Sequence, residues 1–204
     1  KVSELKIPGL DNILFTSTEA NENNRPQLIV TNKISLASPI QSLSFEFVCL
    51  NGNGEASYMT DWKNSSYAQS ISFTGCAIQN IKRTLVRISD GSGVFMTDIT
   101  IDNCVISEVG TDGYGMINFG TNIDQLEKVS ITNSTLINIG DQLMDVKGGI
   151  GDVILENCTF YNSMDAKKEL PKVFRFDNAA STPPSPKSAT MRNLIFSGPN
   201  KGKK

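Results

Sequence analysis

The stretch that decides the fold is Ile99-Thr100-Ile101-Asp102-Asn103-Cys104-Val105-Ile106. Apolar and polar residues alternate up to Asp102, the period of a half-buried strand. After Asn103 the parity flips, and Cys104 and Ile106 become the apolar positions. One residue that bends the strand explains the flip. Asn and Gly best tolerate the left-handed conformation that such a bend needs. The same eight-residue pattern returns along the chain, with its fifth position at Phe47, Gly75, Asn103, Asn133, Asn157 and Asn193. The steps are 28, 28, 30, 24 and 36 residues. Phe47 stands outside the Asn/Gly rule and makes the first block the weakest.

A second apolar cluster recurs between the blocks: Val86-Arg87-Ile88, Ile117-Asn118-Phe119, Met144-Asp145-Val146 and Phe174-Arg175-Phe176. Its central residues are 31, 27 and 30 apart, which is the same period. Each repeat therefore holds three short strands and no amphipathic helix, which predicts an all-β fold: a single right-handed parallel β-helix, or solenoid, of about six turns. A leucine-rich repeat is disfavoured because Leu is sparse and no helix accompanies each strand. Residues 27–198 are assigned to the β-helix. Residues 1–26 are an N-terminal cap or partial turn around Ile13-Leu14-Phe15, and 199–204 form a polar tail. The Pro-rich stretch 181–188 reads as a loop.

Composition narrows the chemistry. The 204 residues include 19 Lys plus Arg, 21 Asp plus Glu and no His, for a net charge of −2. That balance disfavours nucleic acid as a partner. The absence of His removes His-based acid–base catalysis, Ser-His-Asp triads and His-ligated zinc. No apolar run is long enough for a transmembrane helix. Lys1-Val2-Ser3 does not read as a signal peptide, so either a leader has been removed or the chain is a fragment. Basic residues concentrate from residue 164 onward, where a solvated cap and tail are expected. Cys76, Cys104 and Cys158 share one inward position, with Ser134 filling the gap, and Cys49 is one residue out of phase. No C-x-x-C occurs, so small buried core residues are expected rather than a metal site or a disulfide.

The tandem Asn-Cys/Ser rungs of residues 43–198 resemble the right-handed β-helices of the pectate-lyase-like superfamily. They look most like its domains of unknown function in secreted proteins of glycan-degrading bacteria. The resemblance implies a polysaccharide or oligosaccharide ligand lying along the sheet at 86–89, 117–120, 144–147 and 174–177. It also implies further domains in the parent chain and an extracellular or cell-surface location. Catalytic members depart from this sequence. The Asn-Thr-Asp, Asp-Asp and Gly-His-Gly motifs of polygalacturonases do not occur, and the calcium-binding carboxylates of pectate lyases are few on the corresponding face. No cofactor is expected, and calcium is the one the resemblance leaves open.

In-register stacking predicts an outward column of Arg87, Asn118, Asp145 and Arg175, and a second of Ser89, Gly120, Lys147 and Asp177. Arg in such a strip can grip a carboxylate with two parallel bonds. The plain alternative is that Asp145–Arg175 and Lys147–Asp177 are ordinary cross-strand ion pairs. Trp62, Tyr67 and Tyr114 fall on turns beside the strip, and Tyr114 sits in the Gly-rich Gly110-Thr111-Asp112-Gly113-Tyr114-Gly115. Exposed loop aromatics offer an apolar face on which a sugar ring can stack. The ligand-binding set is thus Arg87, Asn118, Asp145, Lys147, Arg175, Asp177, Tyr114 and Trp62. No catalytic residue is assigned: adjacent carboxylates favour the charged form of Lys147, the wrong state for a base. Only Asp145 and Asp177 approach the spacing of a glycosidase pair. The leading expectation is a non-catalytic carbohydrate-binding module, ahead of a polysaccharide lyase or glycoside hydrolase acting on acidic glycans, and of a structural or adhesin spacer.

Overall fold

The computed structural model describes residues 1–17, 24–121, 123–163, 172–177 and 186–198, apart from the side chains of 172 and 177. The expected 199–204 tail and most of the 181–188 loop lie outside these residues. Ser188 begins a strand instead of ending that loop.

The chain coils into a parallel β-solenoid of about six turns. Its first face stacks Asn12–Thr16, Ile40–Glu46, Ala68–Thr74, Phe95–Asp102, Ile123–Thr132, the second half of Gln142–Glu156, and Ser188–Arg192. A second face stacks the short strands that follow each bend, such as Ala77–Ile81, Val105–Val109 and Thr135–Ile137. The third stacks Trp62–Lys63, Val86–Asp90, Gly115–Phe119, the first half of Gln142–Glu156, and Lys172–Asp177. Because Gln142–Glu156 runs unbroken through the third corner, it joins the first and third faces into one sheet. Residues at the chain start also pair in register, Ile13 with Leu43 and Phe15 with Phe45, so this segment adds rungs.

All six expected bend positions have positive φ, between +50° and +61°. Phe47 is among them at φ +53°, so the weakest block follows the common geometry. The reason for Phe lies one rung on. A Cβ at Gly75 would stand 2.6 Å from the Phe47 ring, which lies over the glycine. Above that point Asn takes over and forms an amide ladder. Asn193 Nδ2 donates to Asn157 Oδ1 (2.9 Å), Asn157 to Asn133 (3.0 Å), and Asn133 to Asp102 Oδ1 (2.8 Å). The ladder thus ends on a carboxylate rather than on Asn103.

A second left-handed corner stands five residues after the first, at Asn80, Glu108, Asn138, Asn162 and Gly198. Asn162 Nδ2 donates to Asn138 Oδ1 (2.6 Å), and Asn138 donates in turn to Glu108. The short strand between the corners places Ile78, Ile106, Leu136 and Phe160 inside, all essentially buried. Inside the first face, Phe15, Phe45 and Phe73 stack ring on ring at 5.1 and 5.4 Å.

The four cysteines are buried and free. Cys76, Cys104 and Cys158 point their thiols at carbonyl oxygens of the preceding rung: Phe45 (3.3 Å), Phe73 (3.4 Å) and Ile131 (3.4 Å). Ser134 makes the corresponding turn contact to Thr132 O and accepts the Cys104 amide. Burial pushes the Cys49 and Cys158 thiols above their ordinary pKa. The hydrogen bond with Cys76, then burial, does the same for Cys104.

Replacing Asn157 by Ala should lower stability in urea by about 1–2 kcal/mol from the left-handed backbone alone, and Asn157→Gly should restore most of it. Gly75→Asn should be destabilising by about 1–3 kcal/mol in the parent chain through overpacking. It should be near neutral in a Phe47→Asn background, so a double-mutant cycle should show strong coupling. The raised thiols hold their protons more tightly in the folded state than in the unfolded one. Their stabilisation is complete below the unfolded thiol pKa and is lost as pH rises past about 8.5. Melting temperature should therefore fall on the alkaline side less steeply in Cys158→Ala than in the parent.

Candidate functional site

The strip on the third face has the expected register. Asn118 pairs with Arg87 and with Asp145, Asp145 with Arg175, and Lys147 with Asp177. Inward neighbours Val86, Ile88, Ile117, Phe119, Met144 and Val146 are buried, and Phe174 and Phe176 pack against the same core. Alternation along each strand is what aims the central residue outward.

The strip also extends one rung further than the repeats indicate. Trp62 pairs with Ile88, which puts Thr60-Asp61-Trp62 in the place of Val86-Arg87-Ile88. Trp62 is therefore an inward core residue with 0% exposure, not a loop aromatic, and it offers no surface for stacking. Thr60 in place of the first inward apolar residue of the pattern hid this rung. Tyr67 is buried too.

Charge along the strip is mostly internally matched. Arg87 Nη1 bonds Asp61 Oδ1 at 3.0 Å, and Arg175 Nη1 approaches Asp145 Oδ2 at 3.8 Å. Asn118 Nδ2 donates to Asp145 Oδ2 (3.3 Å), and Gln142 Nε2 reaches the same oxygen at 3.5 Å. Asn118, expected to face ligand, is only 7% exposed between Arg87 and Asp145. Lys147 Nζ donates to Gly120 O (3.3 Å). The side chain of Asp177 lies outside the described residues, so neither its pairing with Lys147 nor its spacing from Asp145 enters the site. Among the described strip side chains Arg175, 45% exposed, is the most open to solvent.

Of the three aromatics expected beside the strip, Tyr114 is the one that reaches the surface, at 38% exposure; Phe95, Tyr161 and Phe196 are more exposed but lie on the other two faces. Its position follows from turn length. Seven residues separate Asn80 from Arg87 and Asn138 from Asp145, but ten separate Glu108 from Asn118. The extra residues lengthen the turn that carries Tyr114. Below its ring lies Arg83, with the guanidinium carbon 4.7 Å from the centroid. Arg83 Nη1 donates to Tyr58 Oη at 3.0 Å, and the Arg87 guanidinium lies 4.3 Å from the Tyr58 ring centre. Tyr58, Arg83, Arg87 and Tyr114 thus form one continuous cation–aromatic cluster that opens onto the strip. Tyr58 and Arg83 escaped the sequence reading because they precede the third-face strands and carry no repeat signal of their own.

The same turn borders a cleft of about 280 Å³, lined among others by Glu108, Thr111, Asn138, Asp141 and Asn162. Gly110 and Gly140 make this possible by close backbone approach: a Cβ on Gly140 would sit 1.8 Å from Gly110 O. The lining is the second amide ladder, which becomes legible once the five-residue interval between corners is known. Among the described residues, no group of three or more Cys, Asp or Glu side chains converges as a metal site would require.

Gly140→Ala should push the two turns apart, exposing Tyr114 and lowering stability by more than about 1 kcal/mol. Loss of Tyr fluorescence anisotropy together with a lower urea midpoint would register both effects.

No helix is long and apolar enough to cross a membrane among the described residues. No curated protein and no solved structure matches the chain significantly. A family model does match, over residues 15–139, which takes in Tyr58, Arg83, Arg87, Tyr114 and Asn118. With more than half of its length matched and the repeat architecture in place, the chain belongs to the family described as Domain of unknown function (DUF4957).

Proposed function

We propose that this solenoid is a non-catalytic carbohydrate-binding module, with a polysaccharide lying across the exposed margin of the strip. The observation that carries the reading is Tyr114: a solvent-facing ring on a lengthened turn, backed by a cation and continuous with a polar sheet face. A Tyr ring presents apolar area to the C–H face of a sugar while its edge stays wet. Arg175 and Lys147 supply donors for hydroxyl groups further along the strip. The resemblance to pectate-lyase-like β-helices supports the same class of ligand, a parent protein with further domains, and export to the cell surface. Buried thiols are shielded from oxidants in such a location.

A structural spacer is the second reading, and a specific observation favours it: Arg87 is matched by Asp61, and Trp62 and Tyr67 are packed into the coil. A spacer leaves the exposure of Tyr114 without a role. The lyase or hydrolase reading ranks third, because Asp145 is already engaged by Asn118, Gln142 and Arg175.

Affinity electrophoresis against neutral and acidic polysaccharides separates the first two. Retardation by at least one glycan is expected. Tyr114→Ala should weaken it about two- to tenfold, the range of one aromatic contact, and Arg175→Ala should weaken it further. Unretarded migration through every gel would leave the spacer as the better account.

A further inference from the structure

Arg83 differs from Arg87, Arg175 and Arg192. Each of those three has a carboxylate within 4.0 Å. Among the described residues, Arg83 has none, and its hydrogen-bond partner is the neutral Tyr58 hydroxyl. Its Nε is shut off from solvent and bonds nothing. The guanidinium therefore presents its Nη1/Nη2 end, with Nη1 partly engaged by Tyr58. Tyr114 and Tyr58 flank it at 4.7 and 5.8 Å from their ring centres. Asp112, exposed on the same turn as Tyr114, acts on it electrostatically from beyond ion-pair distance.

A planar cation with the Tyr114 ring over it and the Tyr58 hydroxyl at its edge, and no carboxylate within ion-pair distance among the described residues, is an incomplete ion pair. The Tyr58 hydrogen bond and the Tyr114 ring fix its orientation in advance, which strengthens an anion's grip on it. Two N–H groups side by side match two oxygens of one oxyanion. We propose that Arg83, with Tyr58 and Tyr114, is a subsite for an oxyanion carried by a saccharide, either a carboxylate or a sulfate ester. This inference rests on the carbohydrate-binding reading above and adds a charge requirement to it. It also moves that requirement off Arg87 and Arg175, whose charge is met within the protein. The sugar ring bearing the anion packs on Tyr114, and the rest of the chain runs onto the strip.

The test uses the full chain in affinity gels containing polygalacturonate, a sulfated galactan or a neutral galactan. Thermal melting of each variant verifies its fold. Retardation by an acidic glycan is expected, and the gel in which it occurs tells carboxylate from sulfate. Arg83→Gln should weaken that binding about ten- to hundredfold, as loss of a charged hydrogen-bond donor does. Arg83→Lys should retain part of it. Asp112→Asn, an exposed substitution that leaves the cluster intact, should tighten it by removing a competing negative charge. Retardation by the neutral galactan alone, or by an acidic one equally in parent and Arg83→Gln, would overturn the oxyanion subsite and leave the carbohydrate-binding reading standing. Absence of retardation in all three gels would overturn both.

Discussion

A strand that must turn twice within a few residues, and do so again one rung higher at the same place, depends on backbone that accepts positive φ. Two such residues, five apart, define each turn of this coil from Gly75 onward. Everything else hangs from them. They set the length of the second face, decide which side chains of the first face point inward, and stack the corner Asn side chains so that their amides bond one another. Both amide ladders terminate on an acid, Asp102 in one and Glu108 in the other. A file of amide donors all pointing one way polarises along its length, and an ionised acceptor at its foot is where that polarisation is best answered.

Like positions stacking on like explains why the fold was readable from the residues and the surface was not. The first-corner Asn column, the Cys/Ser column and the alternating third-face strands each repeat in identity or polarity, so period alone revealed them. The second corner was harder because Glu108 and Gly198 interrupt its Asn residues, and Gly52 stands where the first turn would continue the column. Trp62 was misplaced because Thr60 stands where the other third-face strands begin with an apolar residue, which breaks a pattern recognised by similarity. Arg83 and Tyr58 were invisible for a deeper reason. Their meaning lies in a pairing between turns of unequal length, and a repeat search averages such differences away.

The strip illustrates how register alone makes a surface without making a site. Stacking delivered the column Arg87, Asn118, Asp145 and Arg175 as expected, yet the addition of Asp61 below it changes its character. Opposite charges on adjacent rungs satisfy one another before any ligand arrives. Departure from the repeat, in the form of the longer turn at 110–114, is what leaves a ring and a cation open.

The five-residue interval between corners holds while the remainder of each turn ranges from 19 to 31 residues. The coil thus has one rigid edge and two sides whose connections can be lengthened or shortened without disturbing the stack, since loop length carries only a slow entropic penalty. In evolutionary terms this is a frame built for variation. New recognition can be acquired by inserting a few residues between a second corner and its third-face strand, as the Tyr114 turn already shows. An engineer could graft a peptide at the equivalent point of a neighbouring rung and expect the inherited scaffold to carry it.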